Sequence, residues 1–122
     1  MARVSEIRHV GYAVTDLAAE AAFYRDVWGL KDAGEKDGML HFAAEGHDEL
    51  YVVRLRAAEQ QRIDIITLAA DSRADVDALH AKVAAYGCQI VFAPKDLDTL
   101  GGGYGFRFFS KDGLPFEISS DV

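Results

Sequence analysis

Residues 8–16, RHVGYAVTD, decide the fold, because residues 64–71, DIITLAAD, repeat their pattern 55 positions later. In this alignment His9 corresponds to Asp64, and Asp16 corresponds to Asp71. Each copy is a short apolar run that ends in an aspartate, and a helical pattern and several strand-like runs follow it. A long fixed period of this kind indicates a duplicated supersecondary unit.

Both copies predict the same order of elements, a strand followed by a helix and three more strands. In the first copy the leading strand is predicted at residues 7–14 by alternation, and the helix at residues 17–28 by an apolar stripe that starts after the N-cap Asp16. In the second copy the leading strand is predicted at residues 63–69, and Gly87 ends the helix. That helix has an apolar stripe made of Val76, Leu79, Val83 and Tyr86. The remaining strands are predicted at residues 31–35, 39–44, 50–55, 89–93, 104–109 and 114–119.

The repeated order predicts an α+β fold built from two βαβββ modules, about residues 5–57 and 62–122. Crossover helices after leading strands pack on one face of a sheet. We therefore expect a curled eight-stranded mixed sheet that encloses a cavity and carries its helices on the outer face. At 122 residues the chain fits a single domain, residues 1–122.

Composition excludes several classes of protein. The net charge of −7 repels phosphate backbones and argues against nucleic-acid binding. No apolar run approaches the roughly 20 residues needed to cross a membrane, and the start of the chain does not resemble a signal peptide. Cys88 is the only cysteine, so we expect a reducing, cytoplasmic location.

Several segments together resemble the vicinal oxygen chelate superfamily, which includes glyoxalase I, bleomycin-resistance proteins and type I extradiol ring-cleaving dioxygenases. They are RHVGYAVTDL around His9, the aromatic residues that precede Gly29 and Leu30, and SKDGLPFEIS at residues 110–119. Within the superfamily, four further features most resemble the N-terminal domain of catechol 2,3-dioxygenase and dihydroxybiphenyl dioxygenase. They are residues 86–88, the glycine-rich residues 101–105, Arg107 and residues 116–118. The resemblance implies a domain without metal, whose iron and chemistry lie in a second domain of similar fold.

The resemblance also implies where a retained metal site would lie, because metal-dependent members place one ligand on each of four inner strands. His9 fits the first position, Asp64 the third and Glu117 the fourth. Alternation puts Glu117 on the cavity side, opposite Phe116 and Ile118. The second position falls within residues 50–55, where Tyr51 and Val53 have the expected parity but are poor ligands. Glu49 would serve there only with a shifted register.

The donor set is poor in nitrogen. Reactive Fe(II) normally needs two histidines and a carboxylate, and we expect none of His41, His47 and His80 to be the second histidine. Carboxylates suit a hard divalent ion, so Mg, Mn, Zn or Ni on His9, Asp64 and Glu117 is an alternative. The favoured interpretation is that the chain holds no metal. His9 and Glu117 would then be relics of the duplication, bonded to each other or to Arg107.

Three functions are therefore open. The first is the non-metal N-terminal domain, or a close stand-alone relative, of an Fe(II) extradiol dioxygenase that acts on catecholic compounds. The second is a stand-alone metalloenzyme of the glyoxalase or epimerase type, and the third is a metal-free protein that binds a small aromatic molecule. The expected partner is either a second copy in a homodimer or a missing C-terminal catalytic domain.

Overall fold

The structure, a computed structural model, describes residues 2–121. The chain divides into two compact units. The N-terminal unit comprises Arg8–Asp64, and the C-terminal unit comprises residues 2–7 and 65–121 of the described chain. Residues 1 and 122, at the ends of the predicted domain, lie outside the described residues. The single-domain organisation stays a prediction.

The predicted α+β fold is confirmed, and each module has the predicted order of elements. The strands are β1 (Val4–Val14), β2 (Lys31–Lys36), β3 (Met39–Ala43), β4 (Val53–Ala57), β5 (Arg62–Ala70), β6 (Gln89–Asp96), β7 (Tyr104–Phe109) and β8 (Pro115–Ser120). The helices are α1 (Leu17–Ala22), a π-helical segment (Phe23–Val27) and α2 (Arg73–Tyr86). Neither α-helix of the described chain is long and apolar enough to cross a membrane. The curling of the sheet around a cavity stays a prediction.

The N-terminal unit orders its strands β2-β3-β4-β1. β4 runs parallel to β1 and antiparallel to β3, with Arg54 opposite both Gly11 and His41. The face of the sheet that carries α1 is apolar and holds the core of this unit. This core consists of Val14, Ala21, Tyr24, Phe42, Val53 and Leu55. Because side chains alternate along β4, Arg54 points away from this core.

The first helix changes its winding part of the way along. Asp16 caps α1 as predicted, accepting from the Ala19 N–H at 3.1 Å. After Ala22 the chain widens into the π-helical segment, which ends with Trp28 N–H donating to Phe23 O at 3.3 Å. Trp28, the last residue of the predicted helix, does not belong to the core, because its side chain is 56% exposed. The wider turn moves it off the 3.6-residue stripe, and its ring meets Tyr24 only edge-on, at 4.8 Å between centroids.

The C-terminal unit orders its strands β5-β8-β7-β6. β8 runs parallel to β5 and antiparallel to β7, so Glu117 lies opposite Thr67 on one side and Arg107 on the other. Its core lies under α2 and consists of Ala70, Val76, Phe106, Phe108 and Ile118. Ser72 caps α2, and Gly87 ends it at φ 100°. Tyr86, in the predicted apolar stripe, is exposed in the last turn of α2.

Gly105 marks the closest approach of β7 and β8. A Cβ at this position would lie 2.5 Å from the Ile118 carbonyl oxygen and 2.9 Å from Ser119 Cβ. These neighbours are fixed by the strand pairing and cannot move aside as a flexible side chain could. The position therefore requires glycine for space rather than for an unusual backbone angle.

Candidate functional site

The two modules repeat at a spacing of 56 residues, one more than the sequence alignment indicates. The helix N-caps, Asp16 and Ser72, are this distance apart. The alignment on Asp71 is wrong, because Ser72 rather than the aspartate before it caps the second helix. The error is small, but a shift by one residue moves a side chain to the other face of a strand.

The leading strands give the same spacing, because buried and half-buried residues follow in the same order at residues 8–14 and 64–70. Applied to the strand register, this spacing redefines the four ligand positions. Gly11 lies opposite Arg54 in the N-terminal unit, and Thr67 lies opposite Glu117 in the C-terminal unit. Arg54 and Glu117 are therefore equivalent positions of the two modules. The residue equivalent to His9 is Ile65 rather than Asp64. The four positions then hold His9, Arg54, Ile65 and Glu117.

The second position differs from the prediction. Val53, assigned there by parity, packs in the apolar core beside α1. Its neighbour Arg54 occupies the position and is buried. The prediction that Tyr51 and Val53 share a face is wrong, because β4 begins only at Val53, three residues later than expected, and Tyr51 lies outside the strand. A guanidinium has only N–H donors, so it cannot ligate a metal ion.

His9 lies in a buried cluster of three rings. Its ring centroid is 4.4 Å from that of Tyr51. The His41 ring contacts Tyr51 edge-on, with 4.5 Å between the two centroids. Tyr51 therefore contacts His9, whereas Val53 packs in the apolar core. That His41 would join this cluster was not predicted, although its alternation in β3 was a usable signal.

His41 is the least expected member of the cluster. Its Nδ1–H donates to the Gly34 carbonyl at 3.1 Å, which leaves Nε2 as a buried acceptor without a hydrogen-bond partner. Burial lowers the pKa of His41 below 6.5, the Gly34 and Met39 carbonyls oppose this shift, and the charge of Arg54 adds to it. The ring is therefore neutral near pH 7.

Asp64 is held by arginine side chains. Arg56 donates to both carboxylate oxygens, through Nε at 2.8 Å and Nη2 at 2.9 Å. Arg54 Nη2 and Arg62 Nε lie further out, at 4.0 Å and 3.9 Å. The hydrogen bond from Arg56 is the main reason why the pKa of Asp64 is lowered, and the charges of all three arginines lower it further. The carboxylate is an anion whose charge is already compensated.

Glu117 is the most buried carboxylate of the site, with 3% of its surface exposed. Arg107 Nε donates to its Oε1 at 2.7 Å, and the Thr67 hydroxyl lies 3.5 Å from Oε2. Phe116 and Ile118 pack on the opposite, α2 face, as the alternation predicted. The sequence-based alternative that Arg107 bonds Glu117 is confirmed.

The other candidate ligands are engaged elsewhere. Arg8 Nη1 donates to both oxygens of Glu49, at 2.9 Å and 3.1 Å. His47 accepts the Glu49 N–H within a turn. The His80 ring contacts Phe106 from α2.

The residues present do not fit a divalent metal ion. Across residues 2–121, no three histidine, cysteine or acidic side chains converge as a metal site requires. Asp64 and Glu117 each accept a short hydrogen bond from an arginine, and Arg54 occupies the second ligand position. A cation at either carboxylate would have to displace the guanidinium group bonded to it and would be repelled by that group.

These features define a class of protein that is built from two βαβββ modules. In this chain only two of the four ligand positions, His9 and Glu117, hold a histidine or an acidic residue. The model of the glyoxalase/bleomycin resistance protein/dioxygenase superfamily matches residues 6–118. The chain belongs to this family. No curated protein was found to match the sequence.

The chain is also similar to several solved structures. The chain is similar to the Mn(II)-bound glyoxalase from Novosphingobium aromaticivorans, with 61% identity and a TM-score of 0.97 over 100% of this chain and 40% of that chain. It is similar to the 2,3-dioxygenase LapB from Pseudomonas sp. KL28, with 26% identity and a TM-score of 0.88 over 98% of this chain and 42% of that chain. Homoprotocatechuate 2,3-dioxygenase from Arthrobacter globiformis shares the fold, with 24% identity and a TM-score of 0.89 over 99% of this chain and 37% of that chain. The chain thus spans about two-fifths of each of these proteins.

Proposed function

We propose that this chain is a non-metal domain of a metalloenzyme of the superfamily, and that the parent enzyme is an extradiol ring-cleaving dioxygenase. The domain would support and help to assemble the catalytic part, which a further domain supplies. One observation carries the proposal: arginines hold the carboxylates of Asp64 and Glu117, and a third arginine, Arg54, occupies a ligand position.

The charge of the site supports this role. A metal centre needs ligands whose lone pairs are available to the ion, and hard divalent ions favour carboxylates. Here the strongest available donors to those carboxylates are guanidinium groups, which remain charged at any working pH. The arrangement suits a structural face held together by ion pairs.

A metal-binding assay tests the proposal. The purified chain is incubated with Mn(II), or with Fe(II) under anaerobic conditions, then desalted and analysed for bound metal. We expect much less than one metal ion per chain, no cleavage of catechol and no isomerisation of a hemithioacetal. His9→Ala is the matched variant, and it should give the same result as the unaltered chain. Stoichiometric metal that disappears in His9→Ala would refute the proposal and favour an independent metalloenzyme.

A second candidate for the parent enzyme is a glyoxalase that uses Mn(II), which the 61% identity with a Mn(II)-bound glyoxalase favours. The non-metal role of this chain would be the same. Assays of the enzyme that contains this domain discriminate the two candidates: catechol cleavage with Fe(II) favours the dioxygenase, and hemithioacetal turnover with Mn(II) favours the glyoxalase.

A further inference from the structure

A groove beside α1 is lined by none of the candidate metal ligands. Its volume is about 310 Å³, within the range of small-molecule sites. All of its lining residues belong to the N-terminal unit. Those whose side chains give it chemical character are Tyr12, Glu20, Tyr24, Gln61, Arg62 and Ile63.

Two tyrosine rings give the groove an aromatic wall. The rings of Tyr12 and Tyr24 are nearly parallel, with 6° between their planes and 6.2 Å between their centroids. Tyr24 is fixed in the core beside Phe42, so the wall is rigid. Because the ring spacing leaves no room for a third ring between them, a planar ligand would pack on an outer face of the pair.

Arg62 supplies a cation at the groove. Its side chain is 58% exposed, and its Nε lies 3.9 Å from the Asp64 carboxylate, beyond hydrogen-bonding distance. Asp64 already accepts two hydrogen bonds from Arg56. The guanidinium edge of Arg62 is therefore available for a planar carboxylate, which it can bind through two parallel hydrogen bonds.

Glu20 also lines the groove and supplies an acceptor. Its charge is close enough to Tyr24 to help raise the pKa of that hydroxyl, after burial and the Tyr12 hydroxyl. The Tyr24 hydroxyl stays protonated, and the Glu20 carboxylate can accept a hydrogen bond from a ligand.

We propose that this groove binds a small aromatic acid that carries a hydroxyl or amino donor away from its carboxylate. Arg62 binds the ligand carboxylate, the ring packs against Tyr12, and Glu20 accepts from the distal donor. A ligand with a second acid group is disfavoured, because it would place a negative charge near Glu20. The proposal goes beyond the non-metal role and does not depend on it, since no groove residue is a candidate metal ligand.

Titration of the ¹⁵N-labelled chain with 4-hydroxybenzoate, in the presence of EDTA, tests the proposal. We expect saturable shifts of the Gln61 side-chain amide and none of the Gln89 amide, which lies in the C-terminal unit. Benzoate and phenol, which each lack one of the two polar groups, should bind more weakly. Arg62→Gln should weaken 4-hydroxybenzoate binding about tenfold, the usual cost of a charged hydrogen bond.

Variants provide the controls. Arg25→Gln removes another exposed arginine of the same unit, which pairs with Asp32 outside the groove, and it should bind as the unaltered chain does. Glu20→Gln should reduce the preference for 4-hydroxybenzoate over benzoate. The same spectra show whether each variant is folded. Shifts that do not saturate, equal binding by Arg62→Gln and the unaltered chain, or equal binding of benzoate and 4-hydroxybenzoate would overturn the proposal. None of these results would bear on metal binding.

Discussion

Replacing Arg107 by glutamine should destabilise the C-terminal unit by leaving the Glu117 carboxylate buried without its cation. Glu117 is almost fully buried and accepts from Arg107 Nε at 2.7 Å. Breaking a buried ion pair costs about 3–5 kcal/mol. Arg107 is 27% exposed, so water can reach part of the vacated space, and we expect a smaller loss of about 2–3 kcal/mol. The Thr67 hydroxyl, at 3.5 Å, compensates little.

Urea unfolding followed by circular dichroism at 222 nm measures this loss, because the longest helix, α2, lies in the C-terminal unit. Trp28 fluorescence reports on the N-terminal unit instead, since this is the only tryptophan. With a typical dependence on urea for a small protein, the loss lowers the midpoint by about 1–2 M. Arg73→Gln is the matched control, because Arg73 forms exposed ion pairs in the same unit, and its midpoint should change little.

A double variant separates the ion pair from other effects of the substitution. Arg107→Gln combined with Glu117→Gln removes both charges and allows an amide–amide hydrogen bond, so it should recover part of the stability lost in Arg107→Gln. If Arg107→Gln and Arg73→Gln have equally small effects, Arg107 does not neutralise Glu117. The Glu117 carboxylate would then be available to a cation, and Arg107 would not prevent a metal ion from binding to it.

Three further substitutions have distinct expected outcomes. Gly105→Ala should reduce the free energy of unfolding by about 3 kcal/mol or more, because its Cβ overlaps the Ile118 carbonyl; an unchanged urea midpoint would contradict this. The folded-state pKa of His41 is lowered below 6.5, so stability is full above pH 6.5 and falls as the pH drops below it. The urea midpoint measured by Trp28 fluorescence should therefore decrease less between pH 7.5 and pH 5 in His41→Phe than in the unaltered chain. The pKa of Asp64 is lowered below 3.8, so its pairing with Arg56 stabilises above pH 3.8 and is lost in stronger acid; Arg56→Gln should cost about 1 kcal/mol at pH 7 and progressively less as the pH falls below 3.8.

The order of elements was predictable from sequence because its signals are local. Asp16 accepts the Ala19 N–H as an N-cap does, and Gly87 adopts the left-handed conformation that ends a helix. Alternation placed Glu117 opposite the α2 face because a strand has a strict period of two. These signals depend only on neighbours within a few residues, so one sequence was sufficient.

The site was less predictable because it depends on register and on contacts between distant residues. The weak identity of the two copies could not distinguish a spacing of 55 residues from one of 56. This difference of one residue decides whether Asp64 or Ile65 is the equivalent of His9. The π-helical winding that exposes Trp28 has no clear signal in the sequence. The hydrogen bonds from Arg56 to Asp64 and the ring contact of His41 with Tyr51 join residues of different segments, which only the folded chain brings together.

The equivalence of Arg54 and Glu117 explains why restoring one ligand would not create a metal site. In the N-terminal unit, which retains His9, the equivalent of a ligand position holds a buried guanidinium opposite Gly11. A divalent ion roughly 6 Å from such a charge is repelled by about 5 kcal/mol at an effective dielectric constant of ~20. Recovery of metal binding in this unit therefore requires at least the replacement of Arg54.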